Sequence, residues 1–358
     1  MQKGFYKNIP KVETLPRKKS ISEFDTLLQG VTQSGKTSLL FDYIETLPEE
    51  SRYLYVDFDE VLNLDIFEDI KNSIVVNSIE YLFIDVYDRD VSKEINSLRV
   101  NFKWLKQIIV SSWIIQDLKN FQLLQLYPLS FEEFLVFKNS TESVEHTFLR
   151  YTKIGGFPIF AKNSDFFLFK QVKRLLYFAL STFEIEILKD IANNIGRTQT
   201  KFQVFNSIKE SKKISKDKFY RVFNSLLESN YIVEVKGVSE LHKRRFYFID
   251  SALKNSFGNG QNFTKLFENL ILSELYKRGI RPNYFGKLDF YIEDSRKGVQ
   301  PKPFIDEEQV VLYGKSILES TKSLNIERIE IVTMSFDRSF TIDGVEFEAI
   351  QFTRWALL

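Results

Sequence analysis

The chain has 358 residues, which at roughly 100 to 200 residues per domain predicts two or three domains and excludes a single small module. Its 49 basic and 48 acidic side chains leave a formal charge of +1, so any pull toward nucleic acid has to come from local patches and not from a global field. The absence of cysteine removes disulfides, thiolate nucleophiles and sulfur-ligated zinc, leaves His146 and His242 as the imidazoles, and fits a reducing cytoplasm.

In the first half, short apolar runs at Thr26 to Gln29, Tyr53 to Asp57, Tyr81 to Asp85, Gln107 to Ser111 and Leu123 to Leu126 read as buried strands. Helical patterns separate most of them, which predicts a parallel α/β sheet. From about Phe131 to Ile195 apolar residues recur at three and four spacing, as in a helical connector, with Gly155, Gly156 and Pro158 marking a sharp turn. Residues 198–249 read helix, helix, strand pair, the order of a winged helix-turn-helix. A second α/β segment follows Asn262, with a hairpin signal at Asp343 and Gly344. The expected domains are 1–137, a P-loop module; 138–250, connector and winged helix; and 251–358, an α/β domain. The 44% hydrophobic content, with 35 Phe and 16 Tyr, suffices for sizeable cores. No stretch approaches the roughly 18 apolar residues of a spanning helix, so a soluble protein without membrane association is expected.

The strongest motif is Gly30-Val31-Thr32-Gln33-Ser34-Gly35-Lys36-Thr37, a Gly, four residues, then Gly-Lys-Thr, between an apolar run and the helical SLLFDYIETL. In that context backbone N–H groups of a loop spanning Gly30, Gln33, Ser34, Gly35 and on to Ser38 can surround phosphates, Lys36 can reach the terminal ones, and Thr37 can ligate magnesium. A nucleotide with Mg²⁺ is therefore the expected ligand. A carboxylate at a neighbouring strand end should complete the magnesium shell; Asp85 is the expected residue and Asp57 its competitor, with a turn or cap as the alternative use. Hydrolysis needs an acceptor for the attacking water, and the position after Asp85 is Val86. Asp88 reaches in only if its loop bends. Ser111 and Ser112 close the fourth run as either phosphate sensors or turn residues.

Taken together, the phosphate loop, IIVSS, the string YPLSFEEFL from Tyr127 to Leu135, YTKIGGFPIF, YFID of 247–250, LFENLILSEL and the closing AIQFTRWALL resemble a prokaryotic family of AAA-type ATPases. Its members join an ATPase module to a winged helix and a C-terminal domain resembling a nuclease fold. The resemblance implies ATP binding through Gly30, Gly35, Lys36 and Thr37 and magnesium coordination through Asp85. It would also put Glu at Val86 and Arg at Asn120. Their absence implies slow or lost hydrolysis, with a nucleotide switch as one consequence.

Between Gly196 and Arg221 eight basic residues face two acidic ones, a local charge of +6. The helix beginning near Ser215, with Lys216, Lys218 and Arg221, is the expected reader of double-stranded DNA; Lys212 and Lys213 precede it, and Lys243 and Arg244 fall on the wing. A protein partner or a second copy of the chain is the other expected use of such a face. In the last segment Glu268, Asp289, Gln300 and Lys302 follow the order of a magnesium nuclease of the restriction-endonuclease type, although Pro301 and Pro303 flank the lysine. A nuclease-like scaffold without cleavage is the competing reading.

Overall fold

The computed structural model describes residues 5–9, 14, 16–60, 66–86, 89–114, 116–137, 141–162, 166–210, 214–240, 242–258 and 262–358. Asp88, read as a solvated loop acid that reaches the site only if its loop bends, and the expected DNA contacts Lys212 and Lys213 lie outside the described residues. The chain divides into two compact units, Met1–Pro128 and Leu129–Leu358, so the first break falls nine residues before the expected one at 137. No described helix is long and apolar enough to cross a membrane.

The first unit runs β1 (Phe5–Tyr6), β2 (Thr26–Gln29), α1 (Lys36–Glu45), β3 (Tyr53–Asp57), α2 (Ile66–Val76), β4 (Tyr81–Val86), α3 (Ser92–Asn101), β5 (Gln107–Ser112) and β6 (Gln122–Gln125). Its strands lie in the order β1-β3-β4-β5-β2-β6. All are parallel except β1, which pairs antiparallel with β3 at the edge. Alternation along the strands divides the core in two. Leu54, Val56, Leu82, Ile84, Val86, Ile108 and Val110 pack with Ile70 and Ile74 of α2 and Ile95 and Leu98 of α3. Tyr55, Phe83 and Ile109 pack on the other side with Leu39, Leu40 and Ile44 of α1. Because β2 lies between β5 and β6, the loop after it opens at a switch point of the sheet, where α/β proteins bind ligands.

The second unit begins with α4 (Phe131–Leu135), α5 (Val144–Ile154), α6 (Pro158–Lys162), α7 (Phe166–Ala179), α8 (Thr182–Asn193), β7 (Thr198–Gln199), α9 (Lys201–Lys209), α10 (Lys216–Glu228), β8 (Ile232–Gly237), β9 (Arg244–Phe248) and α11 (Ser251–Phe257). It continues with α12 (Phe263–Lys277), β10 (Asn283–Phe285), β11 (Leu288–Ile292), β12 (Lys297–Pro301), α13 (Gln309–Ser320), β13 (Arg328–Thr333), β14 (Arg338–Ile342), β15 (Val345–Gln351) and α14 (Phe352–Trp355). Among the described residues, one sheet runs β14-β15-β13-β12-β11-β10-β8-β9-β7. The break expected at 250 thus lies inside a shared sheet, because Asn283 and Tyr284 of β10 pair in parallel with Lys236 and Gly237 of β8. Asp343 and Gly344 make the β14–β15 turn, both with positive φ, as their hairpin signal predicts. Pro301 is tolerated because it closes β12, beyond the last β11 pair at Phe290 and Val299.

The strings that carry the resemblance meet in one buried network. Lys277 Nζ donates to Tyr151 Oη at 2.8 Å and to the Leu129 carbonyl at 3.0 Å, and lies 3.2 Å from Asp250 Oδ2 and 3.6 Å from Glu274 Oε1. Tyr151 donates to Glu274 at 2.6 Å, and Asp250 Oδ2 accepts the Gly156 amide at 3.0 Å. Glu274 Oε2 accepts the Phe131 amide at 3.2 Å. Burial and the two carboxylates push the Tyr151 phenol well above its usual range. Gly155, at φ 78°, leaves no space for a side chain, since a Cβ there would lie 2.0 Å from Asp250 Oδ1. Removing one partner of a buried ion network strands the others. Lys277→Met is expected to lose about 3–5 kcal/mol in urea unfolding, whereas the exposed Lys322→Ala should change stability by less than about 0.5 kcal/mol.

Candidate functional site

The loop after β2 is built for close approach of backbone. A Cβ at Gly30 would stand 2.1 Å from the Leu126 carbonyl, and Gln33 and Gly35 take φ of 64° and 92°. Gly35 caps α1 without a side-chain hydrogen bond, and the first turn of α1 carries no acidic residue, so the positive end of the helix faces the loop unopposed. Lys36 Nζ lies inside the loop and donates to the carbonyls of Gly30 and Val31, each at 3.0 Å. No carboxylate is among its hydrogen-bond partners. Burial pulls its pKa down to about 8, against the opposing charge of Asp85.

Asp85, the penultimate residue of β4, lies on the α1 side of the sheet and accepts a hydrogen bond from Thr37 Oγ1 at 2.6 Å. The two residues expected to hold magnesium therefore meet. Tyr55, on the neighbouring strand, donates to the same Asp85 oxygen at 3.3 Å, and burial with the charge of Asp85 pushes its phenol far above the usual range. Asp57 pairs in register with Asp85, but its Oδ1 accepts the Asp59 amide at 2.9 Å, the turn role that was its alternative. Val86 points to the opposite side, into the α2–α3 core, and is 1% exposed. Asn120, where the resemblance implies Arg, holds φ 64° in the turn before β6, a left-handed position that Asn tolerates.

Ser111 lies on β5 between Asp85 and Leu28. Its hydroxyl and that of Ser34 are buried and have no hydrogen-bond partner. Orphaned hydroxyls cost free energy unless a ligand supplies the missing bond, so the loop, its ammonium and these two groups fit a polyanion. Ser112 is a turn residue: its hydroxyl donates to the Ile114 carbonyl at 2.9 Å and accepts from Gln116. Gln33 and Ser38 are half-buried at the rim of the loop. Sequence reasoning missed two groups here. One is Tyr55; the other is Arg17, whose guanidinium donates to the carbonyls of Ser34 at 2.9 Å and Tyr127 at 2.7 Å. Neither carries a local motif, because each acts on a residue far away in sequence.

In the second unit the nuclease-like quartet also gathers. Gln300 donates to Asp289 Oδ2 at 2.5 Å and accepts its amide at 3.0 Å. Burial, then the charge of Asp289, raises the Glu268 pKa, and Lys302 lies 4.4 Å from the ring centre of Tyr313, whose phenol is raised by burial and by both acids. Both carboxylates are already paired. Arg245 bonds Asp289 at 2.6 Å, and Lys265 and Tyr247 bond Glu268 at 2.7 and 2.6 Å. Among the described residues no group of three or more His, Asp or Glu side chains is arranged to hold a metal. Of the basic residues, Lys216, Lys218 and Arg221 are exposed on α10, while Lys243 pairs with Glu240 at 2.8 Å and Arg244 lies 3.8 Å from Glu234.

Residues 25–135 match the family described as an AAA domain. The chain is 23% identical over 398 residues to an uncharacterized protein of Methanocaldococcus jannaschii, covering 92% of this chain and 88% of the relative. It is 25% identical over 315 residues to an uncharacterized protein of Haemophilus influenzae, covering 75% and 78%. Among solved structures, the Walker-type ATPase of Pyrococcus abyssi is similar over 66% of this chain and 91% of its own, with 14% identity and a TM-score of 0.46. Drosophila ORC bound to DNA is similar over 65% and 80%, with 12% identity and a TM-score of 0.26. The family match is confined to residues 25–135, the stretch that carries the phosphate-loop motif, and supports an AAA-type, nucleotide-binding reading of it. Because the carbonyl of Leu126 is backbone and cannot swing aside, Gly30→Ala is expected to cost about 1–3 kcal/mol in urea unfolding.

Proposed function

We propose that the chain is an ATP-binding, nucleotide-switched protein of the AAA type, in three functional parts: P-loop module, winged helix and nuclease-like α/β domain. The observation that carries the reading is the loop ammonium of Lys36 held only by carbonyls, beside the unbonded hydroxyls of Ser34 and Ser111. In this reading the amides from Gly30 through Ser38 hold the phosphates, Lys36 binds the terminal ones, and Ser111 donates to the last as a sensor. Thr37 and Asp85 hold magnesium, which when bound offsets phosphate charge. Val86 supplies no acceptor for water and its side chain lies in the core, which supports slow turnover. General-base catalysis is worth about 10²–10⁴-fold, so hydrolysis should trail a P-loop enzyme that has the acid by about that factor.

The order α8, β7, α9, α10, β8, β9, with β9 paired antiparallel to both β7 and β8, supports the winged-helix reading. The exposed Lys216, Lys218 and Arg221 of α10 support phosphate contact with duplex DNA. A magnesium-dependent nuclease has the meeting of Glu268, Asp289, Gln300 and Lys302 in its favour, and the pairing of both acids with Lys265 and Arg245 against it.

Titration with Mg-ATP is expected to show binding that weakens about 10–100-fold in Lys36→Ala, the range of a charge-assisted hydrogen bond; equal affinity in the variant contradicts the reading. Duplex binding is expected to fall with salt and with joint replacement of Lys216, Lys218 and Arg221 by Ala. No duplex binding at low salt favours a protein-interaction scaffold, and DNA cleavage lost in Asp289→Ala favours the nuclease.

A further inference from the structure

The second unit contains an open cavity of about 910 Å³ that none of the roles above uses. Lys254 of α11 lines it. This lysine is 4% exposed, yet its ammonium has no hydrogen-bond or ion-pair partner, and burial alone holds its pKa below the usual lysine value. The side chain is thus buried while its ammonium, without a protein partner among the described residues, opens on the cavity, where an anion would offset the cost of partly desolvating the charge. Arg197 and Lys265 line the same cavity, as do Asn262 and Phe263, the N-cap and first residue of α12. That 15-residue helix has no acidic residue in its first turn, so its positive end adds to the field. No acid is among the described lining residues. Glu268, which lies against Gly196, is already bonded to Lys265 at 2.7 Å and to Tyr247 at 2.6 Å, and Asp190, which feels the charge of Arg197, is bonded to Ser207. Two aromatic rings complete the wall: Phe263 and Phe304 lie 5.3 Å apart, and Phe304 is 71% exposed.

We infer that this cavity binds a phosphate-bearing ligand, with Lys254, Arg197 and the α12 N-terminus on the phosphate and the Phe263–Phe304 pair against a flat ring. The volume falls in the range of small-molecule sites, about 300–1,000 Å³, and aromatic faces stack bases without regard to sequence. A free nucleotide and the phosphorylated end of a nucleic-acid strand share this chemistry. The site is independent of the phosphate loop, which belongs to the other unit.

Calorimetric titration of the full chain carrying Lys36→Ala, which removes the loop's phosphate-binding charge, separates the two sites. The ligands are inorganic phosphate, AMP and a 5′-phosphorylated single-stranded oligonucleotide, and each titration is repeated with Lys254→Met added. At least one ligand is expected to bind, and at least tenfold more weakly once Lys254 is replaced. AMP as tight as the oligonucleotide identifies a free nucleotide; an oligonucleotide at least tenfold tighter identifies a strand end. The ligand-free Lys254→Met protein should melt no lower than its parent, because an uncompensated charge has left the interior; a lysine with a purely structural role predicts a lower melting temperature. Should Lys254→Met fail to fold, the exposed Phe304→Ala replaces it, with AMP weakened and inorganic phosphate unchanged. Absence of binding by all three ligands at millimolar concentration, or binding indifferent to both substitutions, overturns the inference. Mg-ATP binding by the chain with native Lys36 should survive Lys254→Met, so failure here leaves the phosphate-loop reading standing.

Discussion

An ammonium drawn into a loop of backbone, with carbonyls as its hydrogen-bond partners, is the constraint on which the first unit turns. Lys36 donates to Gly30 and Val31, inside a loop whose tightness rests on the close approach at Gly30 and the left-handed turns at Gln33 and Gly35. The carbonyls solvate the charge without cancelling it, which is why burial can hold the pKa near 8. The helix α1 adds its positive end and no acid, and Ser34 and Ser111 add hydroxyls without partners. Each of these features is unfavourable by itself. All are relieved by one event, the arrival of a polyanion, and that convergence is what separates a phosphate site from a glycine-rich turn.

The alternation of the strands then limits what chemistry can follow. Asp57, Asp85 and Ser111 occupy strand positions on the α1 side, beside the loop, whereas Val86 goes to the α2–α3 core. A side chain one residue further along a strand faces the other way. The two residues proposed to hold magnesium, Thr37 and Asp85, are therefore in contact, and the residue directly after Asp85 is not a carboxylate. On the proposed reading, binding and hydrolysis are separable properties of this arrangement.

The parts legible in the sequence are those that local pattern controls. Four of the parallel strands, β2 to β5, were readable because each is a short, largely buried apolar run, and the phosphate loop because its glycines and Lys36 are fixed in spacing; the fifth, β6, is an edge strand with Leu123 exposed, not the buried strand its apolar pair suggested. The order of strands and helices from α8 to β9 was readable for the same reason. The continuity of the second sheet was not, since it depends on a parallel pairing of β8 with β10 across more than forty residues. Nor was the pairing of Asp289 with Arg245 or of Glu268 with Lys265, which turns a nuclease-like order of residues into a set of satisfied ion pairs. The buried network around Lys277 explains why YPLSFEEFL, YTKIGGF, YFID and LFENLILSEL belong together: they supply the carbonyls, amides, phenol and carboxylates that surround one ammonium.

The central claim, that the Lys36 ammonium is held in want of an anion and that nucleotide provides it, has a direct thermodynamic signature. Burial holds this group's pKa below the usual lysine value, at about 8, and phosphate beside it must raise that value. Mg-ATP binding measured calorimetrically at pH 8, in buffers of different ionisation enthalpy, should therefore be accompanied by net proton uptake, and Lys36→Ala should take up none. Full-affinity binding with no proton uptake in the native chain would contradict the account, because the ammonium would then already have been compensated before the nucleotide arrived.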